Sequence, residues 1–218
     1  MSEDAAATAD MHSSDEEFVQ FKEKLKDDVT FTQTGGSPRT LKASEAKSSR
    51  EAVGIWKVGD EAWKVFSKRE KKKKNILKDL EDDYSRAKDN GVPMGNPSFV
   101  QGKVKIGNGT ATDGFVLITD FMEGSNFQKG AGSFNAALKR ENVPKDATKP
   151  DYKKILAGCE AAVKVGLRDC QGFIKTGISE PLRFIDVHTG WNAQTKKFNP
   201  SGEADALLEA IKAWPTSK

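Results

Sequence analysis

LRDCQGFIKTGISEPLRFIDVHTG, residues 167–190, carries two aspartates seventeen residues apart, Asp169 after a basic residue and Asp186 at the end of an apolar run. GFIKTG and LRFIDV are short, apolar and β-branched, and ISEP joins them, so the stretch reads as two small strands returning on each other. Each acid then lies at the open end of one hairpin. What such a pair serves has to be read from the rest of the chain.

Outward from this hairpin the pattern turns helical. Residues 151–166 place Ile155, Cys159, Ala162 and Val163 on one face, and EADALLEAIKAW closes the chain as another helix. Residues 133–140 read as a further helix, and EGSNFQKGAGS before them reads as a linker by composition. Upstream the chain is richer in strands. FVQGKVKI and GFVLITDFM are two strands joined by the glycine-rich GNGTATDG, and VTFTQTGG is a strand running into a turn at Gly35, Gly36 and Pro38. TLKASE is a candidate second strand.

AVGIWKVGDEAWKVFS predicts a hairpin, Val53–Val58 and Glu61–Phe66, about Gly59-Asp60. Alternation places Ala62, Lys64 and Phe66 on one face and Trp63 and Val65 on the other, so Lys64 sits among apolar neighbours. Residues 68–90 predict a helix ended by Gly91 and Pro93, with Leu77, Leu80 and Tyr84 as its stripe and Glu81 beside it. The first fourteen residues lack bulky apolar groups and are expected to be disordered; a short helix with Phe18, Phe21 and Leu25 follows.

Composition bounds the function. With 36% hydrophobic and 31% charged residues the chain has an ordinary globular make-up, and no run of eighteen apolar residues is present. MSEDAAATADMHSSDEE lacks the basic and apolar regions of a Sec signal peptide. Two cysteines, Cys159 and Cys170, have neither metal-ligand spacing nor a disulfide framework, so zinc is not expected and a reducing compartment is. The net charge of +3 conceals an acidic start: residues 1–28 hold nine acids and three bases. Lys71 to Lys74 read as one solvated helix face, and no nucleic-acid partner is expected.

The order of these elements, with Lys64 on a strand and Glu81 on the following helix, resembles the protein-kinase-like fold over roughly residues 29–200. The fold class expected is therefore α+β, a bilobal protein-kinase-like fold with a reduced C-terminal lobe. Residues 1–28 would be an acidic tail, 29–124 a β-rich lobe with one helix, and 125–218 the reduced helical lobe. EAWKVFS resembles the V-A-I-K strand, which implies that Lys64 grips the α- and β-phosphates of ATP and that Glu81 is its partner. VLITDFMEG resembles the last strand and hinge, which implies Thr119 as gatekeeper and Asp120, Phe121 and Met122 facing the adenine.

On the same resemblance LRD stands for H-R-D, with Leu167 for His, and Asp169 would orient or deprotonate the acceptor hydroxyl. IDVHTG stands for the D-F-G stretch, so Asp186 would bind Mg²⁺ across the β- and γ-phosphates. One acid then sits by the reacting oxygen and the other by the metal, which is what the chemistry needs of a fixed pair. Three departures stand out. Ile174 occupies the place of the second metal-binding asparagine, leaving Gln171 as the nearby alternative, in a D-x-Q-G run that resembles the atypical alpha-kinases. Residues 46–50, AKSSR, lack the phosphate-loop glycines, which occur instead at Gly35 and Gly36. Only 32 residues follow Asp186.

Such brevity is similar to the minimal kinases that bacterial pathogens inject into host cells, the Hop family among them, one of which acts on the host ninety-kilodalton heat-shock chaperone. The resemblance implies a monomeric, ATP- and Mg²⁺-dependent protein kinase that transfers the γ-phosphate to a Ser, Thr or Tyr hydroxyl of a protein such as a host chaperone, secreted and acting in host cytoplasm, or otherwise cytoplasmic. The rival readings are a small-molecule kinase of the aminoglycoside or inositol type and a pseudokinase-like binding module.

Overall fold

The structure, a computed structural model, describes residues 25–47, 49, 52–67 and 76–216. It is a mixed α+β chain whose described residues form two compact units. One comprises the residues up to Ile76 together with Phe99–Ile118; the other comprises Leu77–Ser98 and the residues from Thr119 onward.

The first unit is built on a six-stranded sheet. Its strands are β1 (Val29–Gln33), β2 (Pro38–Leu41), β3 (Gly54–Val58), β4 (Glu61–Ser67), β5 (Ser98–Ile106) and β6 (Thr112–Asp120). They lie in the order β2-β1-β5-β6-β4-β3, with β1 antiparallel to both β2 and β5, and β3 antiparallel to β4. The β3–β4 hairpin turns at Gly59-Asp60 as its sequence predicts; Gly59 has φ 62°, which a side chain would resist. Alternation along β4 also holds. Trp63 and Val65 join Val29, Phe31, Trp56, Val104 and Val116 in one apolar cluster, while Phe66 stacks on Phe115 at 4.5 Å between ring centres. Each such fully buried side chain contributes about 1.5–3 kcal/mol.

Helix α1 (Ile76–Asp89) belongs to the second unit from Leu77 onward, burying Leu80, Tyr84 and Ala87. There follow β7 (Ser125–Phe127), α2 (Ala131–Arg140), α3 (Pro150–Lys164), β8 (Gln171–Ile174), β9 (Leu182–Ile185), β10 (Trp191–Asn192), β11 (Lys197–Phe198) and α4 (Gly202–Ala213). The strands β7, β8 and β9 form an antiparallel sheet with β8 in the middle. Helix α4 packs on α2 and α3. Tyr152 of α3 donates its hydroxyl to the Ile211 carbonyl of α4, and Trp214 donates to Val143.

Several expectations change at this level. TLKASE is not a strand throughout: β2 ends at Leu41 and Ala43–Glu45 is a 3₁₀ turn, whose first N–H bonds to the Asp28 carboxylate. EGSNFQKGAGS is not a linker, since β7 and the start of α2 lie inside it; Phe127 supplies an apolar anchor that its glycines and serines hide. Val163 is only half-buried. The predicted N-terminal tail, Phe18 and Phe21 of its helix, and Lys71 to Lys74 lie outside the described residues; Leu25 is described and is not helical. No described helix is long and apolar enough to cross a membrane.

Candidate functional site

The β8–β9 hairpin brings the two sequence-selected acids together within the second unit. Gln171 pairs with Ile185, and an isolated bridge pairs Arg168 with His188 in the same register, so Asp169 and Cys170 stand opposite Val187 and Asp186. At both acids the backbone leaves the strand region: φ is 52° at Asp169 and 54° at Asp186. Aspartate tolerates this left-handed conformation better than most residues, yet it still carries a cost that the surroundings must offset. Gly172, the last residue of DCQG, is equally constrained. A Cβ there would lie 2.1 Å from the Arg183 carbonyl oxygen and 3.0 Å from the Phe127 ring, because β8 is squeezed between its neighbours.

Around the acids a polar frame assembles. Gln171 Nε2 donates to Asp186 Oδ2 at 2.9 Å, so the two residues chosen as metal ligands are adjacent. Asp169 Oδ1 is 2.9 Å from Lys129 Nζ, and that ammonium is 3.4 Å from Glu203 Oε1 at the start of α4. The second Glu203 oxygen accepts the Cys170 N–H at 3.0 Å. The hydrogen bond with Asp169 raises the Lys129 pKa above the ordinary lysine value. Burial pushes the Cys170 thiol up to about 12, and Cys159 higher, so neither is a thiolate nucleophile.

Beneath this frame lies α1. Thr189 Oγ1 donates to Asp83 Oδ1, His188 Nδ1 is 3.9 Å from Asp83 Oδ2, and the Val187 N–H reaches the Tyr84 hydroxyl at 3.5 Å. Desolvation raises the Asp83 pKa, with the Thr189 hydrogen bond and His188 opposing it. The carboxylate expected on this helix, Glu81, is exposed instead. Asp83 was missed by sequence reasoning, although Leu80, Tyr84 and Ala87 define a buried face that it flanks.

The hinge candidates end β6. Thr119 and Asp120 are half-buried, Met122 is buried, and Phe121 is 37% exposed. The Asp120 N–H donates to the Gly95 carbonyl at 3.0 Å, its carbonyl accepts Arg183 Nη1 at 2.8 Å, and its carboxylate accepts Asn96 Nδ2 at 2.6 Å. Its backbone groups are thus already engaged within the unit.

In the first unit Lys64 is buried on β4, 7% exposed, with its ammonium 5.3 Å from the Phe66 ring centre. Gly35 and Gly36 are not brought to it. They form the β1–β2 turn, where the Gly36 N–H bonds Gln33 and the Thr34 N–H bonds Gln101 of β5, and both β5 and β6 separate that hairpin from β4. On the other edge of the lysine hairpin Lys47 is doubly hydrogen-bonded to Ile55 of β3.

A divalent cation of the Mg²⁺ type needs little from a protein: one or two carboxylates, with phosphate oxygens and water completing six ligands. Asp186 offers one such carboxylate, with the Gln171 amide against it, and no cluster of three or more His, Cys, Asp or Glu able to hold a metal occurs among the described residues. No family model, no curated protein and no solved structure matches this chain.

Proposed function

We propose that the chain is an ATP- and Mg²⁺-dependent kinase that transfers the γ-phosphoryl group to a Ser, Thr or Tyr hydroxyl of a protein. The reading is carried by one observation: Asp169 and Asp186 occupy the open end of a single hairpin, both with left-handed backbone, and Gln171 lies against Asp186. Two acids in costly conformations at one place are what a fixed catalytic pair requires.

When bound, Mg²⁺ and ATP would supply a charge-neutralised phosphoryl group for transfer. Asp186, with Gln171 beside it, would hold the cation. Asp169 accepts the proton of the acceptor hydroxyl and orients that oxygen. Its ion pair with Lys129 is solvent-exposed on the lysine side, so exchanging that partner for a hydroxyl costs no more than about 1 kcal/mol. Lys64, buried on a strand whose packing fixes its stem, is the lysine that the kinase resemblance assigns to the nucleotide.

Incubation with γ-labelled ATP, followed by mass spectrometry of the labelled products, tests this. Label on a protein hydroxyl, lost in Lys64→Ala and Asp186→Ala proteins that remain folded, is the expected result. Full activity in both variants removes the assignment.

A catalytically silent binding module is the second reading, favoured by Asp120, whose N–H and carbonyl are both committed to Gly95 and Arg183 rather than presented to a base. It predicts no stabilisation by Mg²⁺ and ATP.

A further inference from the structure

The three residues after Asp186 are gripped by one turn of α1. Val187 bonds the Tyr84 hydroxyl through its N–H, His188 lies against Asp83, and Thr189 donates to the same carboxylate. Asp83 is not needed to pack the helix, since Leu80, Tyr84 and Ala87 already bury it, and its partial burial is costly for a carboxylate. A half-buried acid held at such a cost, against the residues that directly follow the left-handed Asp186, points to the conformation of that segment.

We propose that Asp83 is the positioning residue of the Asp186 loop: by anchoring Thr189 it fixes where the Asp186 carboxylate stands beside Gln171, and so how strongly the chain takes up a divalent cation together with nucleotide. The metal part of this rests on the phosphotransfer reading. Arg86, one turn on, lies 3.6 Å from Asp83 and 5.1 Å from the Trp191 ring centre, extending the same contact to the residue after Gly190.

Amide hydrogen exchange and calorimetric ATP titration, with Mg²⁺ and with a chelator, test it on the full chain. Asp83→Ala and Thr189→Val should each speed exchange of the 186–189 amides. Each should also cut the Mg²⁺ enhancement of ATP affinity about tenfold, the scale seen when a partner of a metal ligand is removed. The double variant should lose no more than the larger single loss. Thr189→Ser, which keeps the donor hydroxyl and does not depend on a large change in packing, should restore both properties. Unchanged exchange in Asp83→Ala and Thr189→Val overturns the proposal, and so does faster exchange with the Mg²⁺ enhancement intact. A native chain whose ATP affinity ignores Mg²⁺ overturns the phosphotransfer reading, and the metal-positioning role with it; loss of positioning alone would appear only in the variants.

Discussion

Asp186 joins an unusual backbone angle to a side chain that accepts a hydrogen bond from Gln171. Asparagine accepts the left-handed region as readily as aspartate does and fills the same space. Asp186→Asn is therefore expected to keep stability within about 1 kcal/mol of the native protein, judged by denaturant unfolding, since most surface-type changes that preserve backbone fall near that range. Phosphotransfer in the same variant should fall by at least about 100-fold, the loss typical of removing one charge-stabilising group. Equal activity would leave Asp186 a turn former only. The cysteines give a second check at this scale: with both thiols buried and their pKa values raised, the native protein should react with an aromatic disulfide reagent only as fast as it unfolds. Rapid labelling in buffer would contradict their burial. Lys64, Asp169, Gln171 and Asp186 were legible in the sequence because each sits in a short local pattern. Lys129, Asp83, Thr189 and Glu203 were not, because their partners are distant in sequence and, taken singly, they look like ordinary solvated residues.

Among the elements, β8 is closely held on both sides. Gly172→Ala would drive a methyl group into the Arg183 carbonyl and the Phe127 ring, and is expected to cost about 2–3 kcal/mol as an overpacked site. For a domain of this size that is a fall of roughly 5–10 °C in melting temperature; no change would mean that β7, β8 and β9 are less closely stacked than described. The junction of β1 with the 3₁₀ turn gives a pH test. Asp28 accepts from Lys42 Nζ at 2.8 Å and from the Ala43 N–H at 2.9 Å, and these contacts, the lysine first, hold its pKa below the ordinary aspartate value. A depressed carboxylate stabilises the fold at neutral pH, and that contribution disappears as pH falls through its folded-state pKa. Asp28→Asn should thus lower the melting temperature at pH 7 and make little difference once pH has fallen below that depressed folded-state pKa, where native Asp28 is itself protonated. The hairpins and the longer helices were readable because their apolar periods run uninterrupted. The β7 strand and the β10–β11 pair were not, being three and two residues long with partners far along the chain.

For the whole molecule, the decisive measurement is whether Mg²⁺ and ATP stabilise it. At a hundredfold excess over the dissociation constant a ligand adds about 2.7 kcal/mol to the folded state, or a rise of roughly 5–10 °C for a domain of this size. A shift of that order, abolished in Lys64→Ala, supports the kinase reading; no shift supports the silent module. The absence of a long apolar run and the mixed α+β character were both visible in the sequence, and no described helix is long and apolar enough to cross a membrane. Grouping was less visible, because α1 is flanked by strands in sequence and yet shares its buried face with the second unit.

That grouping makes the second unit separable by protein engineering. The chain passes from one unit to the other at residues 76, 98 and 118, so the excursion through β5 and β6 leaves and re-enters the second unit where the Gly95 carbonyl and the Asp120 N–H are 3.0 Å apart. Joining 77–98 to 119–216 through a short flexible linker would yield a miniature that keeps α1, the acid hairpin and their mutual contacts while discarding Lys64. A folded miniature of this kind would show whether the acid hairpin takes up a divalent cation by itself.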